Sequence, residues 1–558
     1  MILRGSGKWI GAVVVLLSLG SVFFFGERPL PASSAEPSVL TLALPGPFNG
    51  CTVLDSAISE SSSAILDLVR PSAFQSNAAG GLDGAGGPIA TAELTSLTPE
   101  TVVYTLAAGL HWSSGLAFNG GDLVAWWRHA RQLTSVQGDG YRSIKSLVVS
   151  KNGLAVTATF SSSFPAWNLL FRDVEARGAK YGCAFTALLK RPSLGAYRVV
   201  SATARRVVLA KDPNWTTYPQ RFDRINITNS SLLPRSRLSP FASYQTTVNR
   251  AQQQALSAHP AARSRIGVAS GVEEIRYAPG RPVTKNIAIR QALSWSLNRQ
   301  QMISALWGSV TFLPTPAASA LYSQGQTDYP GTAGSVPSGT TTTVVNTPTT
   351  TSPSGEAALA DCPSCAITTL RKLGYRRSSD GWIDRRGNLL ALRVIVGPSK
   401  LDQSVATLVC RQWKQAGIAT FRVEARSDRS AAQLVAQNLD DVAIIFRSTI
   451  STPWLMARSW SGAAYADSYS SGFRSPKLGR LFSEATSNFN PTDASTTWLA
   501  MDQTILQTFL SRPLFTPPSL IEWSGPVGIV NPSTSVSGFV DQIPSWLFTG
   551  VPSVTAPG

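Results

Sequence analysis

Short apolar runs alternate with amphipathic segments along most of this chain. Runs rich in β-branched residues, at 39–44, 154–160 and 442–446, predict buried or half-buried strands. Apolar residues recur every three or four positions at 289–303 and 404–416, which predicts helices with one buried face. Strands and helices that alternate in this order are typical of an α/β fold.

The same reasoning extends the pattern over the rest of the chain. Asp122 is a candidate N-cap for one helix, and Gly417 follows the predicted end of another. The further predicted strands are 101–106, 147–149, 197–201, 206–210, 389–396 and 419–423, and the further predicted helices are 61–68, 119–131, 366–373 and 498–509.

Length and composition indicate more than one folded unit. The chain has 558 residues, of which 43% are hydrophobic and 15% are charged. A single hydrophobic core rarely serves a chain of this length, so two or more domains are expected. The apolar content excludes bulk disorder. The stretch at 334–355 is rich in Ser, Thr and Pro and is predicted to be a mobile surface loop.

The N-terminus has the features of an export segment. Arg4 and Lys8 precede an uncharged apolar run at 9–25, and small residues follow at 33–35. Residues 1–35 are therefore predicted to be either a signal peptide or an uncleaved membrane anchor, because the run is at the short limit for a membrane span. Either interpretation places most of the chain outside the cytoplasm, secreted or at the cell surface.

The positive charge of the chain does not indicate a nucleic-acid partner. The formal net charge is +17, but Lys and Arg are scattered, and the densest group is the short one at 371–377. A nucleic-acid-binding protein would concentrate them on one face or along one helix. Separate solvated side chains, or a cationic exterior near anionic lipid or wall polymer, remain as interpretations.

Five cysteines make disulfides possible in an exported chain, and their odd number leaves one thiol over. The first expected pairing is Cys51 with Cys183, and the second joins Cys410 to one thiol of the C-P-S-C sequence. The candidates are Cys51, Cys183, Cys362, Cys365 and Cys410.

The C-P-S-C sequence has a redox motif and half of a zinc site as alternative interpretations. The context of a small thioredoxin-like βαβ unit is absent from the sequence, so a structural disulfide is favoured. His111, His129 and His259 are the only histidines, and they are far apart in the sequence. We therefore expect no metal, no cofactor and no catalytic residues; serine-nucleophile and zinc-hydrolase motifs are missing as well.

Several sequence units resemble those of the family 5 extracellular solute-binding proteins, the oligopeptide- and dipeptide-binding group. The resemblance runs from about residue 39 to 546, and its strength lies in the order of the units. They are TVVYTLAAGLHWSSGLAFNGGDLVAWW at 101–127, GAYRVV at 195–200, LAKDPNW at 209–215, IRQALSWSLNR at 289–299, LRKLG at 370–374 followed by GWID at 381–384, and RPLF at 512–515.

The resemblance implies a two-lobed periplasmic-binding-protein-like α/β fold with an interlobe cleft and hinge strands. It implies a first lobe at 36–274, a second lobe at 275–506, and a return to the first lobe at 507–558. The chain crossings are expected near 273–277 and 506–515. A small solute would bind between the lobes and stabilise their closure.

One departure from the family affects the ligand. Peptide-binding members commonly place an Asp just after a strand of the second lobe, where it meets the α-ammonium of the peptide. The matching segment here, 446–454, has no carboxylate and includes Arg447. Arg447 is suited to an anionic or carbonyl-rich solute if it faces the cleft. The predicted ligand-binding residues are Phe48, Asn49, Tyr322, Arg447, Trp454, Trp460 and Trp523.

The resulting hypothesis is a solute-binding receptor of an ABC-type importer, with a membrane permease as partner, no nucleic acid, and a monomeric state. The solute is a peptide or an anionic, carbonyl-rich molecule. The alternatives are a membrane-anchored sensor or scaffold with the same fold and, with much less support, an exported hydrolase.

Overall fold

The computed structural model describes two large groups of secondary structure and the connections between them. The predicted leader or anchor at 1–35 and the loop at 334–355 lie outside the described residues. Within those residues, no helix is both long and apolar enough to cross a membrane. The described residues are 38–46, 48–50, 52, 59–76, 82–84, 87–133, 138–178, 185–216, 220–229, 240–245, 263–269, 271–308, 314–324, 326, 328–330, 358–448, 453–462, 471–525 and 527.

A seven-stranded sheet combines strands from both ends of the chain. Its strands are β1 (Val39–Leu44), β8 (Tyr197–Ala202), β9 (Arg206–Lys211), β10 (Arg224–Asn229), β11 (Phe241–Gln245), β12 (Arg263–Val268) and β20 (Pro518–Ser524), in the order β12-β20-β11-β1-β10-β9-β8. The strand β1 lies parallel to both β10 and β11. Its side chains Leu40, Leu42 and Leu44 are buried, as the apolar run predicted.

A four-stranded antiparallel sheet lies between β1 and β8 in the sequence. Its strands are β4 (Ile89–Leu97), β5 (Glu100–Leu106), β6 (Ile144–Val149) and β7 (Ala155–Phe160), in the order β4-β5-β7-β6. Two short hairpins complete the strands, one of β2 (Phe74–Ser76) and β3 (Leu82–Gly84), the other of β14 (Arg376–Arg377) and β15 (Trp382–Ile383).

A five-stranded mixed sheet is formed by the second half of the chain. Its strands are β13 (Gly271–Tyr277), β16 (Ala391–Val396), β17 (Ala419–Glu424), β18 (Val442–Ser448) and β19 (Ser511–Phe515), in the order β17-β16-β18-β13-β19. The strands β16, β17 and β18 are parallel, whereas β13 runs antiparallel to its neighbours β18 and β19.

The helices surround these sheets. They are α1 (Glu60–Val69), α2 (Gly120–Ala130), α3 (Asp139–Ser143), α4 (Ile287–Trp295), α5 (Arg299–Trp307), α6 (Pro363–Lys372), α7 (Lys400–Ala416), α8 (Asp428–Ala436), α9 (Pro453–Arg458), α10 (Pro476–Ser487) and α11 (Pro491–Gln507). Short 3-10 helices occupy Trp167–Leu169 and Phe185–Lys190.

Helices α7 and α8 cover opposite faces of the five-stranded sheet. Val409 and Trp413 of α7 belong to the same core as Ile444 of β18. Val435 of α8 belongs to a separate core with Ile445, the next residue of that strand. Successive strand residues point to opposite faces, so the sheet is buried on both sides.

Within the described residues, the chain passes between the seven- and five-stranded sheets twice. The first crossing lies between the end of β12 and the start of β13, and the second joins β19 to β20 through residues 516–517. Val268 pairs with Pro518, and Glu273 pairs with Phe515, so the two crossings lie side by side. We call the side with the seven- and four-stranded sheets the first lobe, and the side with the five-stranded sheet the second lobe.

The parallel strands of both sheets direct their carboxyl ends toward these crossings. In the first lobe, Gln245 at the end of β11 pairs with Leu520, near the second crossing. In the second lobe, Ser448 at the end of β18 pairs with Gly271, beside the first crossing. Open α/β sheets bind ligands at the carboxyl ends of their strands, so both lobes present such an edge to the same region.

Two local features differ from the sequence-based expectations. The helix expected at 289–303 is interrupted, because the Asn298 side chain accepts a hydrogen bond from the Gln301 backbone and caps a second helix, α5. Helix α2 is capped by Asn119 rather than Asp122. The Asp122 carboxylate instead accepts the Asn119 backbone N–H at 3.0 Å, which completes a capping box.

Replacement of Trp413 by Ala tests the packing of α7. The indole is fully buried, and its Nε1 donates to the Leu293 carbonyl of α4 at 3.1 Å. We expect Trp413→Ala to lower the free energy of unfolding by about 3–5 kcal/mol. The matched control is Phe421→Ala on β17, where the ring is 65% exposed and the expected loss is below about 0.5 kcal/mol. Denaturant unfolding monitored by circular dichroism measures both, and equal losses would contradict this packing.

Candidate functional site

Arg447 is a buried cation at the carboxyl edge of the second-lobe sheet. It is the next-to-last residue of β18, and it pairs with Val272 just after the first crossing. Its side chain is 1% exposed, and its Nε donates to Glu274 Oε2 at 3.0 Å. Its Nη1 and Nη2 have no hydrogen-bond partner among the described residues. The group therefore has unused donors in a place where unused donors are costly.

Glu274 holds Arg447 in position. Its Oε2 also accepts from Ser511 Oγ at 3.0 Å, and its Oε1 accepts from Arg276 Nε at 2.6 Å. Burial alone would raise the pKa of Glu274, but the guanidinium groups of Arg447 and Arg276 outweigh burial and hold this pKa below its ordinary value. Glu274 is thus an ionised carboxylate that neutralises part of a buried positive cluster.

Two predicted ligand residues lie around this cluster. The guanidinium of Arg276 lies over the ring of Trp460, 5.8 Å from its centroid. Asp502 accepts hydrogen bonds from two backbone N–H groups of the segment that leads to Tyr322. Burial raises the pKa of Asp502 to about 6, and nearby Arg447 is among the groups that oppose this rise. Trp460 therefore lies against the cluster, and Asp502 connects the segment before Tyr322 with the surroundings of Arg447.

The other predicted residues lie elsewhere. Phe48 follows β1 and packs in the core against Phe185, with ring centroids 5.7 Å apart. Asn49 is exposed, and its Oδ1 accepts the Ser59 N–H at 2.7 Å. Both follow the carboxyl end of the first-lobe strand β1.

The last two tryptophans of the prediction are buried. Trp523 is 5% exposed on β20, with Arg263 over its ring at 5.7 Å. Trp454 on α9 packs against Phe164 of the first lobe, with centroids 5.0 Å apart, and against Phe482 of α10.

Contacts join the lobes at a second place. Helix α3 and the segment after β7, from the first lobe, contact the helices α9 and α10 of the second lobe. Arg458 Nε of α9 lies 2.6 Å from Asp139 Oδ2 of α3. Ser163 Oγ donates to the Thr486 carbonyl of α10 at 3.0 Å. Together with the Phe164–Trp454 contact, these interactions connect the two lobes away from the chain crossings.

A group of three acidic residues occupies the same edge of the second-lobe sheet, and the sequence analysis missed it. Glu273 belongs to β13, Asp402 to the first turn of α7, and Asp428 to the first turn of α8. A Cβ at Gly397, just after β16, would clash with the carboxyl groups of Asp402 and Asp428. The residues are far apart in the chain, and only the parallel order of β16, β17 and β18 brings them together.

These carboxyl groups retain protons well above the ordinary pH range for acidic side chains. Burial, and then repulsion from Asp402 and Asp428, raises the pKa of Glu273 well above its usual value. Burial and the neighbouring Asp402 raise the pKa of Asp428 to about 8. Closely spaced carboxyl groups share protons because they cannot all ionise together.

The cysteine pairing differs from the second expectation. Cys362 forms a disulfide with Cys365, because the first turn of α6 brings their Cα atoms to 5.2 Å. Cys410, expected to pair with one of these thiols, is a free thiol. That expectation was wrong. Cys51 and Cys183, which were expected to pair with each other, both lie outside the described residues.

Comparison with known families decides the class of protein. The model of the bacterial extracellular solute-binding proteins, family 5 (middle region), matches residues 88–470. The chain belongs to this family. The resemblance drawn from the ordered motifs is confirmed, and with it the two-lobed α/β fold. Family 5 proteins are extracytoplasmic receptors that bind substrates for ABC-type importers.

Individual relatives are distant in sequence and close in fold. The chain is 22% identical over 356 residues to the oligopeptide-binding protein OppA of Mycobacterium tuberculosis. That alignment covers 58% of this chain, and the chain spans about half the length of the curated relatives it matches (54%). Among solved structures, the periplasmic EDTA-binding protein EppA has a TM-score of 0.76 at 16% identity, with coverage of 92% of this chain and 97% of that chain.

Another solved family structure is the oligopeptide-binding protein AppA from Bacillus subtilis in complex with a nonapeptide. Its TM-score is 0.70 at 12% identity, with coverage of 90% of this chain and 98% of that chain. At these identities the likeness establishes the shared fold.

Replacement of Asp428 by Asn tests the shared protons of the acidic group. The unfolded chain loses this proton near pH 3.8, whereas the folded protein keeps it to about pH 8, so stability falls as pH rises through that window. We expect Asp428→Asn to raise Tm at pH 8 by roughly 2–4 °C and to flatten the decline between pH 5 and pH 8. Differential scanning fluorimetry measures it. Exposed Glu424→Gln is the control, and identical slopes in the two variants would refute the shared-proton arrangement.

Proposed function

We propose that this protein is the receptor of an ABC-type importer for a small solute that presents a carboxylate or carbonyl oxygen to Arg447. The observation that carries this proposal is a 1% exposed guanidinium whose two terminal nitrogens have no hydrogen-bond partner within the described part of the chain. A bound oxygen pair would accept from both nitrogens at once, in the forked geometry that Arg favours.

The surroundings of Arg447 support an oxygen-bearing solute. Glu274 accepts from the Nε, and no other described residue accepts from Nη1 or Nη2, so this fork could bind a ligand oxygen pair. Trp460 supplies an apolar surface close to the same cluster, and the Tyr322 side chain is buried nearby. A charged fork beside aromatic walls binds the polar end of a solute and buries its apolar part.

The names of related proteins are consistent with such a solute. EppA is named for binding EDTA, a molecule with several carboxylates, and AppA was solved with a nonapeptide, which has carbonyl groups and one terminal carboxylate. The absence of an acidic residue at 446–448 and at 453–454 favours the anionic end of a solute over an α-ammonium group as the anchored group.

The proposed mechanism is closure of the two lobes about the paired crossings. We place the lobe boundaries between β12 and β13 and between β19 and β20, where the chain leaves one sheet for the other. The solute would contact Arg447 of the second lobe and the loop after β1 of the first lobe. Contacts available only in the closed state shift the population toward it, and the closed form would be delivered to a membrane permease.

Identification of the bound solute is the direct experiment. Native mass spectrometry of the purified full chain, followed by denaturing release, measures the mass of any solute that co-purifies. Thermal-shift measurements against peptides, organic anions and neutral sugars then rank the classes. We expect anions or peptides to raise Tm. A response to neutral sugars alone would contradict an Arg447 anchor.

Replacement of Arg447 by Lys tests the anchor while keeping its charge. Lys cannot present two fixed donors, so the affinity for a carboxylate solute is expected to fall by about 10- to 100-fold. Isothermal titration calorimetry with the identified solute measures this change. Arg422→Lys on the exposed surface of β17 is the control and should keep wild-type affinity. Unchanged affinity of a folded Arg447→Lys protein would remove Arg447 from the site.

Replacement of Arg458 by Gln tests lobe closure. The variant loses the contact between Arg458 and Asp139, a partly exposed ion pair that contributes up to about 1 kcal/mol. We expect a larger radius of gyration for the ligand-free protein by small-angle X-ray scattering, and solute affinity weaker by about 3- to 5-fold. The control is Arg480→Gln, an exposed residue of α10. If scattering and affinity both match the wild type, this contact does not contribute to closure.

A further inference from the structure

The disulfide between Cys362 and Cys365 lies at the start of helix α6. Cys362 is the N-cap residue, and its Sγ accepts the backbone N–H of Cys365 at 3.3 Å. The hydroxyl of Ser364 lies 3.6 Å from the same sulfur. Both cysteines are partly exposed. The sulfur of Cys362 therefore meets two hydrogen-bond donors and the positive end of a helix, which favour a thiolate there.

The fold needs this disulfide little for its stability. The two cysteines are only 3 residues apart, and short loops gain the least from a cross-link. Hydrogen bonds that do not involve the disulfide also hold the beginning of α6 in place. The Cys362 N–H donates to the Trp295 carbonyl at 2.9 Å, and the neighbouring Asp361 accepts from the Arg299 backbone and side chain at 3.0 Å.

The free thiol in the same lobe provides a contrast. Cys410 lies within α7, and burial raises the pKa of its thiol. Cys410 is half-buried, like the pair, but a thiol with a raised pKa reacts slowly because little thiolate forms at neutral pH. The lobe thus contains one thiol whose surroundings disfavour the thiolate and one pair whose Cys362 sulfur has surroundings that favour it.

We propose that Cys362 and Cys365 form a redox-active pair that exchanges with a dithiol, with Cys362 as the attacking and attacked sulfur. This inference is independent of the solute and of Arg447. It depends on the exposure of the pair, on its place at the helix start and on the hydrogen bonds to the Cys362 sulfur.

The exchange is a balanced two-electron reaction. One thiolate of an external dithiol attacks Cys362 Sγ, forms a mixed disulfide and expels Cys365 as a thiolate, which takes a proton from solvent. The second thiolate of the dithiol then attacks the external sulfur of the mixed disulfide, forms the disulfide of the external molecule and releases Cys362 as a thiolate, which takes a proton from solvent. The external dithiol becomes a disulfide, and the protein pair is reduced.

Native reduction with peptide mapping tests this proposal. The folded full chain is treated with about 1 mM dithiothreitol, alkylated, digested and analysed by mass spectrometry, so that each cysteine is scored separately. We expect Cys362 and Cys365 to be labelled in the native state, Cys410 to be labelled at least 10-fold more slowly, and Tm to shift by less than about 3 °C. Labelling of the pair only after denaturation, or unfolding upon reduction, would establish a structural disulfide and overturn the proposal.

Single variants test the assigned roles. With oxidised glutathione as the probe, Cys365→Ser should form a mixed disulfide at Cys362 at least 10-fold faster than Cys362→Ser forms one at Cys365. The control Cys410→Ser should leave native reduction of the pair unchanged. Equal rates for the two variants would overturn the role of Cys362, because the helix-start environment would then favour neither sulfur.

Discussion

The pairing of β13 with both β18 and β19 constrains the rest of this structure. β13 enters from the first lobe and β19 leaves toward it, so this three-stranded ribbon carries both crossings. Because β18 is antiparallel to β13, its carboxyl end must lie beside the entry point. Arg447, near that end, therefore lies next to the crossings, and the parallel strands β16 and β17 bring their own carboxyl ends to the same edge.

The burial of charged groups at this edge of the sheet costs desolvation free energy. Arg447, Glu274 and Arg276 are each almost fully buried, and removing such groups from water costs several kcal/mol per ion before their mutual attraction offsets it. Glu274 accepts a hydrogen bond from one nitrogen of each guanidinium. Among the described residues, Nη1 and Nη2 of Arg447 have no hydrogen-bond partner, and the proposed solute would supply oxygen atoms to them.

Much of the fold was predictable because local patterns agree with tertiary packing. The strand β1 occupies the place that its apolar run predicted, and the helix α7 ends before Gly417 as predicted, although it begins at Lys400 rather than at Ser404. The predicted and observed helices differ where a polar side chain can either continue a helix or cap the next one. Asn298 interrupts an apolar helical pattern by capping α5, and a periodicity argument does not register that competition.

The candidate site was predictable in part. Arg447 stood out because the family pattern expects an acid nearby, and of the other predicted residues Trp460 contacts Arg276 of its cluster. Trp454 and Phe48 are engaged in packing, which the residue type alone could not distinguish from ligand contact. The pairing of Cys410 was wrong because one helical turn already brings Cys362 and Cys365 into bonding distance.

The sequence by itself determined the family, the α/β class and the order of the units, since those depend on motifs and periodicities that are local in the chain. Only the tertiary structure decided which charges meet. Glu274 and Arg447 are 173 positions apart, and Glu273, Asp402 and Asp428 come from a strand and two helices. Their contacts depend on strand order and direction, and no local pattern encodes these because they are properties of the assembled sheet.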